Sequence, residues 1–294
     1  MSAQENHHGI VVGADGSAAS NAAVCWAARS AAMRRVPLTV VHLVNAAVPV
    51  YPIPLSTGVA VWQEDQGRRV VEQAVKIAQD AVKSDRRIEI KCELRCAPPV
   101  PALVDMSKDA EMVVVGSNGH SALARLLLGS VSSSVVRSAC CPVAVIRDED
   151  PLMTHPQQAP VLVGVDGSHA SDLATAVAFD EASRRGVDLV ALHAWSDANA
   201  FELPGIDWDA VKSEAQRSLA EQLAGWQERY PDVTVHRELV CDRPARQLIE
   251  KSESAQLVVV GSHGRGGLSG VLLGSVSNAV VHSVRMPVIV ARPA

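Results

Sequence analysis

A chain of 294 residues has room for two domains of common size, and 48% hydrophobic with 20% charged residues is the balance of an ordinary globular protein. The net charge is −5 and no long basic run occurs, which argues against nucleic acid as a main partner. No stretch has the roughly 18 uninterrupted apolar residues of a membrane span, the first residues lack a signal-peptide core, and the six cysteines show no paired metal-ligand spacing. A cytoplasmic protein with reduced thiols, no membrane association and no protein-bound metal cluster is therefore expected.

Residues 9–14 (GIVVGA) predict a first strand ending in Asp15-Gly16-Ser17. Ser17 or Ser20 can cap a helix that runs to about Arg35, and Pro37 stops it. Residues 38–44 (LTVVHLV) form a near-continuous apolar run, as in a strand covered on both faces. A proline-rich loop at 48–58 precedes a long amphipathic helix at about 59–84 and a strand at 88–94. A short helix at 101–110, a strand at 112–115, a helix at 130–139 and a strand at 142–146 complete the first half.

Residues 148–160 hold Pro151, Pro156 and Pro160 and read as a linker, after which the sequence restarts. Asp166-Gly167-Ser168 repeats Asp15-Gly16-Ser17 at an offset of 166 − 15 = 151, and His193 repeats His42 at the same offset. Gly261 repeats Gly116 at 261 − 116 = 145; the difference of six falls in the proline-rich loop. An ungapped comparison of 112–147 with 257–292 gives 20 identities in 36 positions. The chain is a duplication, with domains expected at 1–147 and 160–294 and a linker at 148–159. Alternating strands and helices call for a parallel sheet with right-handed crossovers in each copy. Such a sheet binds ligands beyond the carboxyl ends of its strands.

Each copy carries a glycine loop between a buried strand and a helix. In the first, Gly116 and Gly119 precede a nine-residue gap and Gly129-Ser130; in the second, Gly261 and Gly264 precede the same gap and Gly274-Ser275. Glycines permit close backbone approach and positive φ, while helix-terminal N–H groups favour an anion, so the loops are candidate phosphate sites. Ser130 and Ser275 stand where N-cap hydroxyls are expected, with Ser132 and Ser277 two residues on. These hydroxyls can cap helices, bind phosphate oxygens, or both. Asp15 and Asp166 fit either an Asx turn or a contact to a ribose or, through water, a metal ion. His42 and His193 end the second strand of each copy, and one imidazole per site with no second ligand suits structure better than catalysis. Arg125 and Arg265 are the arginines of the two loops, and neither loop has a lysine. Phosphate charge would then rest on backbone N–H groups, the helix terminus and Mg²⁺. The P-loop pattern is absent, and so is an evident general base, which argues for binding over turnover.

These motifs resemble the universal stress protein superfamily of the UspA type, in its ATP-binding class. The carriers are G-2x-G-9x-G-[ST] twice, the strand ends VGADGS and VGVDGS, the second strands VVHLV and ALHAW, and the last strands CPVAVI and MPVIVA. The resemblance spans nearly the whole chain. It implies an α/β fold of two tandem Rossmann-like domains, adenine nucleotide alpha hydrolase-like, each a five-stranded parallel sheet of order 3-2-1-4-5 with helices on both faces. It further implies ATP at both sites. Gly13, Asp15, Leu43, Gly116, Ser117, Gly119, Arg125, Gly129, Ser130, Val131 and Ser132 would line the first. Gly164, Asp166, Ala194, Gly261, Ser262, Gly264, Arg265, Gly274, Ser275, Val276 and Ser277 would line the second. Backbone at Leu43 and Ala194 would meet the adenine. Domains of this family pair through their last strands, so the copies can pair within the chain and chains can associate as homodimers. A regulatory role in the stress response with little or no hydrolysis is the implied function; a slow ATPase or another ATP-using enzyme is the alternative. The SGGxDS and HIGH signatures of related enzymes are missing. A flavin carrier of similar fold is a third class. The second loop is richer in glycine, with Gly266, Gly267 and Gly270, so the two sites can differ in affinity. Replacing Gly116 and Gly261 with alanine is expected to weaken nucleotide binding without unfolding, by intrusion at the phosphates.

Overall fold

In a computed structural model the chain divides into two compact units, residues 1–149 and 150–293. The structure describes residues 8–44, 57–82, 87–119, 128–148, 158–194, 208–264 and 273–292. Unit 1 runs β1 (Gly9–Gly13), α1 (Ala18–Arg34), β2 (Leu38–Val44), α2 (Thr57–Ala81), β3 (Ile90–Cys96), α3 (Pro99–Met106), a short 3-10 turn, β4 (Ala110–Gly116), α4 (Ser130–Ser138) and β5 (Val143–Ile146). Unit 2 repeats this order as β6 (Val161–Gly164), α5 (His169–Arg185), β7 (Leu189–Ala194), α6 (Trp208–Arg229), β8 (Val235–Val240), α7 (Pro244–Ser252), β9 (Leu257–Gly261), α8 (Ser275–Ser283) and β10 (Val288–Ala291).

Within unit 1 the strands lie in the order β3-β2-β1-β4-β5 and every pair is parallel. Unit 2 has the matching order β8-β7-β6-β9-β10, again all parallel. Continuous apolar runs form the central strands because both faces are covered. Ile10, Val11, Val12 and Val113 are wholly buried, as are Val161, Val163, Leu257 and Ile289. Helices α1 and α2 pack together on the unit 1 sheet, and α3 packs with α4. Helices α5 and α6, and α7 and α8, form the corresponding pairs in unit 2. Both units are thus α/β layers with helices on the two faces.

Ser17 caps α1 by accepting from Ser20 N at 3.2 Å, and Ser168 caps α5 through Ser171 N at the same distance. Of the two candidate caps of the first helix, Ser17 therefore serves and Ser20 does not. Helix α1 is capped by Arg35, held at φ 58°, before Pro37 is reached; α5 is capped by Gly186 with φ 64°. The third strand begins at Ile90 rather than 88, and α3 begins at Pro99 rather than 101, with proline in its first turn. In unit 2, Glu181 is nearly fully buried and pairs with Arg185 at 2.8 Å. Arg185 also reaches Gln256 at 3.3 Å, whose amide donates to the Ala159 carbonyl at 2.5 Å.

Candidate functional site

Each site begins where the strand order reverses, between β1 and β4 in unit 1 and between β6 and β9 in unit 2. The Asp-Gly-Ser turn leaves the first strand of the unit there. Asp15 Oδ1 accepts from Ser17 N at 2.9 Å, and Asp166 Oδ1 from Ser168 N at 2.9 Å, each closing an Asx turn. Gly16 and Gly167 hold φ 83° and 76°, which the turn requires. Ser171 Oγ accepts from Asp166 N at 3.1 Å, and Ser20 Oγ accepts from Gly16 N at 3.1 Å. A serine in the first helical turn therefore fixes the backbone beside the aspartate. The histidines brace the same point: His42 Nδ1 donates to the Ala14 carbonyl at 2.6 Å, and His193 Nδ1 to the Val165 carbonyl at 2.7 Å. Both imidazoles thus join the ends of neighbouring strands.

The glycine loops cross against these turns. Ser17 Oγ donates to the Asn118 carbonyl and Ser168 Oγ to the His263 carbonyl, both at 3.4 Å. Gly129 N reaches the Ser117 carbonyl at 2.7 Å, and Gly274 N the Ser262 carbonyl at 2.8 Å, closing the base of each loop. Gly129 and Gly274 are the N-caps of α4 and α8, so Ser130 and Ser275 are the first helical residues and not the caps expected from the sequence. The hydrogen bond from each cap glycine holds it extended and shifts the helix start by one residue. No side chain among the described residues caps either helix, so both present open N–H groups. Ser130 and Ser275 are exposed; Ser132 and Ser277 are buried and donate to the Gly116 and Gly261 carbonyls at 2.6 and 2.5 Å. These inner hydroxyls tie helix to strand.

The expectation of positive φ does not hold for the described loop glycines: Gly116, Gly119, Gly129, Gly261, Gly264 and Gly274 are all outside that region. Close approach is what they provide. A Cβ on Gly116 would lie 2.8 Å from the Ser20 backbone nitrogen, and one on Gly261 would lie 2.7 Å from the Ala170 carbonyl carbon. Those glycines admit the first turn of α1 and α5, so the reason given for the Gly116 and Gly261 substitutions is overturned. Gly119 and Gly264 instead face the aspartates, with a Cβ placed 2.8 and 2.5 Å from Asp15 Oδ2 and Asp166 Oδ2.

In unit 2 these groups enclose a cavity of about 420 Å³. Gly164, Asp166, Ala194, Gly261, Gly264, Gly274, Ser275, Val276 and Ser277 line it. Ser262 lies just beneath, 1% exposed. His263, Ser171, Pro244 and Leu248 also line the cavity but were not singled out in the sequence. Position 263 did carry a signal, since it is the one place inside the glycine pair where the halves differ, Asn118 against His263. In unit 1, Gly13, Asp15, Leu43, Gly116, Ser117, Gly119, Gly129, Ser130, Val131 and Ser132 occupy the corresponding places. Arg125 and Arg265 lie outside the described residues, as do the remaining residues of both nine-residue gaps except Leu128 and Leu273. A cavity of this size suits a small molecule, and an open helix terminus beside hydroxyls suits an anionic one.

Fold and motifs together define a duplicated α/β protein with an Asp-Gly-Ser turn and a glycine loop at each switch point. A family model described as the universal stress protein family matches the chain twice, over residues 7–147 and 159–292. The chain belongs to that family, as a tandem of two such domains. It is similar to a universal stress protein of Mycobacterium tuberculosis, 64% identical over 293 residues and 99% of either chain. A second from that species is 56% identical over the same length. Among solved structures, a universal stress protein from Archaeoglobus fulgidus matches with a TM-score of 0.73 at 20% identity, covering 99% of this chain and 100% of that one, a likeness of fold. No described helix is long and apolar enough to cross a membrane.

Proposed function

We propose that this universal stress protein binds ATP, one molecule per unit, and acts by what it carries rather than by fast chemistry. The observation that supports this reading is the unit 2 cavity, where Asp166, the Gly261–Gly264 loop and the open start of α8 meet. The helix N–H groups and Ser275 would hold phosphates, Asp166 the ribose or a hydrated ion, and the apolar wall of Ala194 and Leu248 the base. In unit 1, Ser130, Asp15 and Leu43 would take the same parts.

Magnesium fits the donor set as a companion of the phosphates. Among the described residues no group of three or more His, Cys, Asp or Glu side chains could hold a metal, so the ion would rest on one carboxylate, phosphate oxygens and water. Asp15 and Asp166 are the residues that would meet it, and Mg²⁺ would neutralise phosphate charge.

The test is mass spectrometry of gently purified protein beside calorimetric titration with ATP. The reading expects ATP or ADP to co-purify and one nucleotide to bind per unit. Protein that is empty as isolated and gives no heat with ATP would refute it.

A further inference from the structure

The two crevices share a frame but not a lining. His263 lines the unit 2 cavity, and Ser262 Oγ lies 2.9 Å from its Nδ1. That contact fixes the imidazole, and among the described residues Nε2 makes no hydrogen bond. Unit 1 has Asn118 at this position. There the equivalent hydroxyl, Ser117 Oγ, is buried at 1% exposure and has no hydrogen-bond partner among the described residues. A buried hydroxyl left unpaired carries a desolvation cost, so the unit 1 loop is the less well satisfied of the two. The second difference lies across the crevice. Ala194 lines the cavity, while Leu43 stands at the same register in β2: His42 and His193 precede them and pair with Leu94 and Leu239. The leucine carries three more side-chain carbons than alanine at that register position.

We infer that the two units bind nucleotide unequally, unit 2 being the tighter site, and that His263 sets the difference by donating a hydrogen bond to the anionic part of the ligand. The inference rests on the proposed ATP binding. A ring N–H can serve a phosphate oxygen, and its orientation by Ser262 means little rotamer freedom is lost on binding. Among the described residues lining the cavity there is no lysine or arginine. The larger Leu43 acts in the same direction by narrowing the other site.

Titration of the full chain with Mg-ATP tests this. The wild type is expected to show two classes of site. His263→Asn should weaken the tighter class about tenfold, the scale of one hydrogen bond to a charged group, and leave the other class alone. The reciprocal Asn118→His should tighten the weaker class by a comparable factor, and Leu43→Ala should tighten it further. Two identical sites in the wild type, or a tighter class that His263→Asn does not change, would overturn the inference while leaving ATP binding intact. No binding at all would overturn the proposed function and this inference with it.

Discussion

The Nδ1 of His193 lies 2.7 Å from the carbonyl oxygen of Val165. A carbonyl only accepts, so Nδ1 carries the proton. The Val165 N–H in turn reaches the Leu192 carbonyl at 2.9 Å, so the residue before Asp166 is clamped to β7 from both sides. Replacing His193 with alanine should release that clamp. We expect a loss of about 1 kcal/mol in unfolding free energy, the worth of one hydrogen bond, and several-fold weaker ATP binding in unit 2. His193→Asn retains a donor and should recover part of both. Chemical denaturation and calorimetry on the two variants measure the pair of effects.

The glycines of the loop divide by what stands opposite them. Gly261→Ala sets a methyl 2.7 Å from the α5 backbone, which cannot yield cheaply, and should cost about 2 kcal/mol of stability. Gly264→Ala sets its methyl 2.5 Å from Asp166 Oδ2, the end of a side chain that can rotate away. Its stability should change by no more than about 0.5 kcal/mol while ATP affinity in unit 2 falls at least tenfold. Thermal melts beside binding curves separate these outcomes, and a stable, fully binding Gly264→Ala would count against Asp166 as a ligand group.

The helix ends offer a paired test of backbone strain. Arg35 and Gly186 close α1 and α5 in the same left-handed conformation, φ 58° and 64°. Only the arginine carries a Cβ there. Arg35→Gly should stabilise unit 1 by about 1 kcal/mol, and Gly186→Ala should destabilise unit 2 by a similar amount. Nothing lies within 4 Å of a Cβ built on Gly186, so its effect reports backbone conformation alone. Denaturant midpoints of both variants would show the opposite signs.

Ser30 sits in the middle of α1, fully buried, and its hydroxyl has no hydrogen-bond partner among the described residues. Its counterpart in the duplication is Glu181, which has Arg185. Ser30→Ala removes an unsatisfied polar atom and raises helix propensity, so it should stabilise the protein by about 1 kcal/mol. A lower melting temperature in this variant would contradict the burial described for α1.

Much of the frame was legible because it is local and written twice. The Asp-Gly-Ser turn, the glycine spacing and the buried strands follow from short-range pattern, and the duplication let each half check the other. What escaped depended on distant partners. Nothing near Gly116 in the chain announces that Ser20 packs over it, and the roles of Pro244 and Leu248 depend on how α7 crosses the sheet. The cap of α8 moved from Ser275 to Gly274 because Gly274 N is bonded to the Ser262 carbonyl, twelve positions earlier in the chain. His263 was visible as a difference between halves, but its tie to Ser262 is a matter of rotamer.

The bond from Gln256 to the Ala159 carbonyl has a practical bearing on dissection of the chain. It stitches residues that precede β6 to the residue just before β9, and through Arg185 to the buried Glu181. Unit 2 expressed on its own should therefore begin upstream of Ala159. A cut at 160 or later would strip the amide of its acceptor and loosen the guanidinium that neutralises a buried carboxylate, leaving an isolated half weaker for reasons unrelated to the loss of its sister.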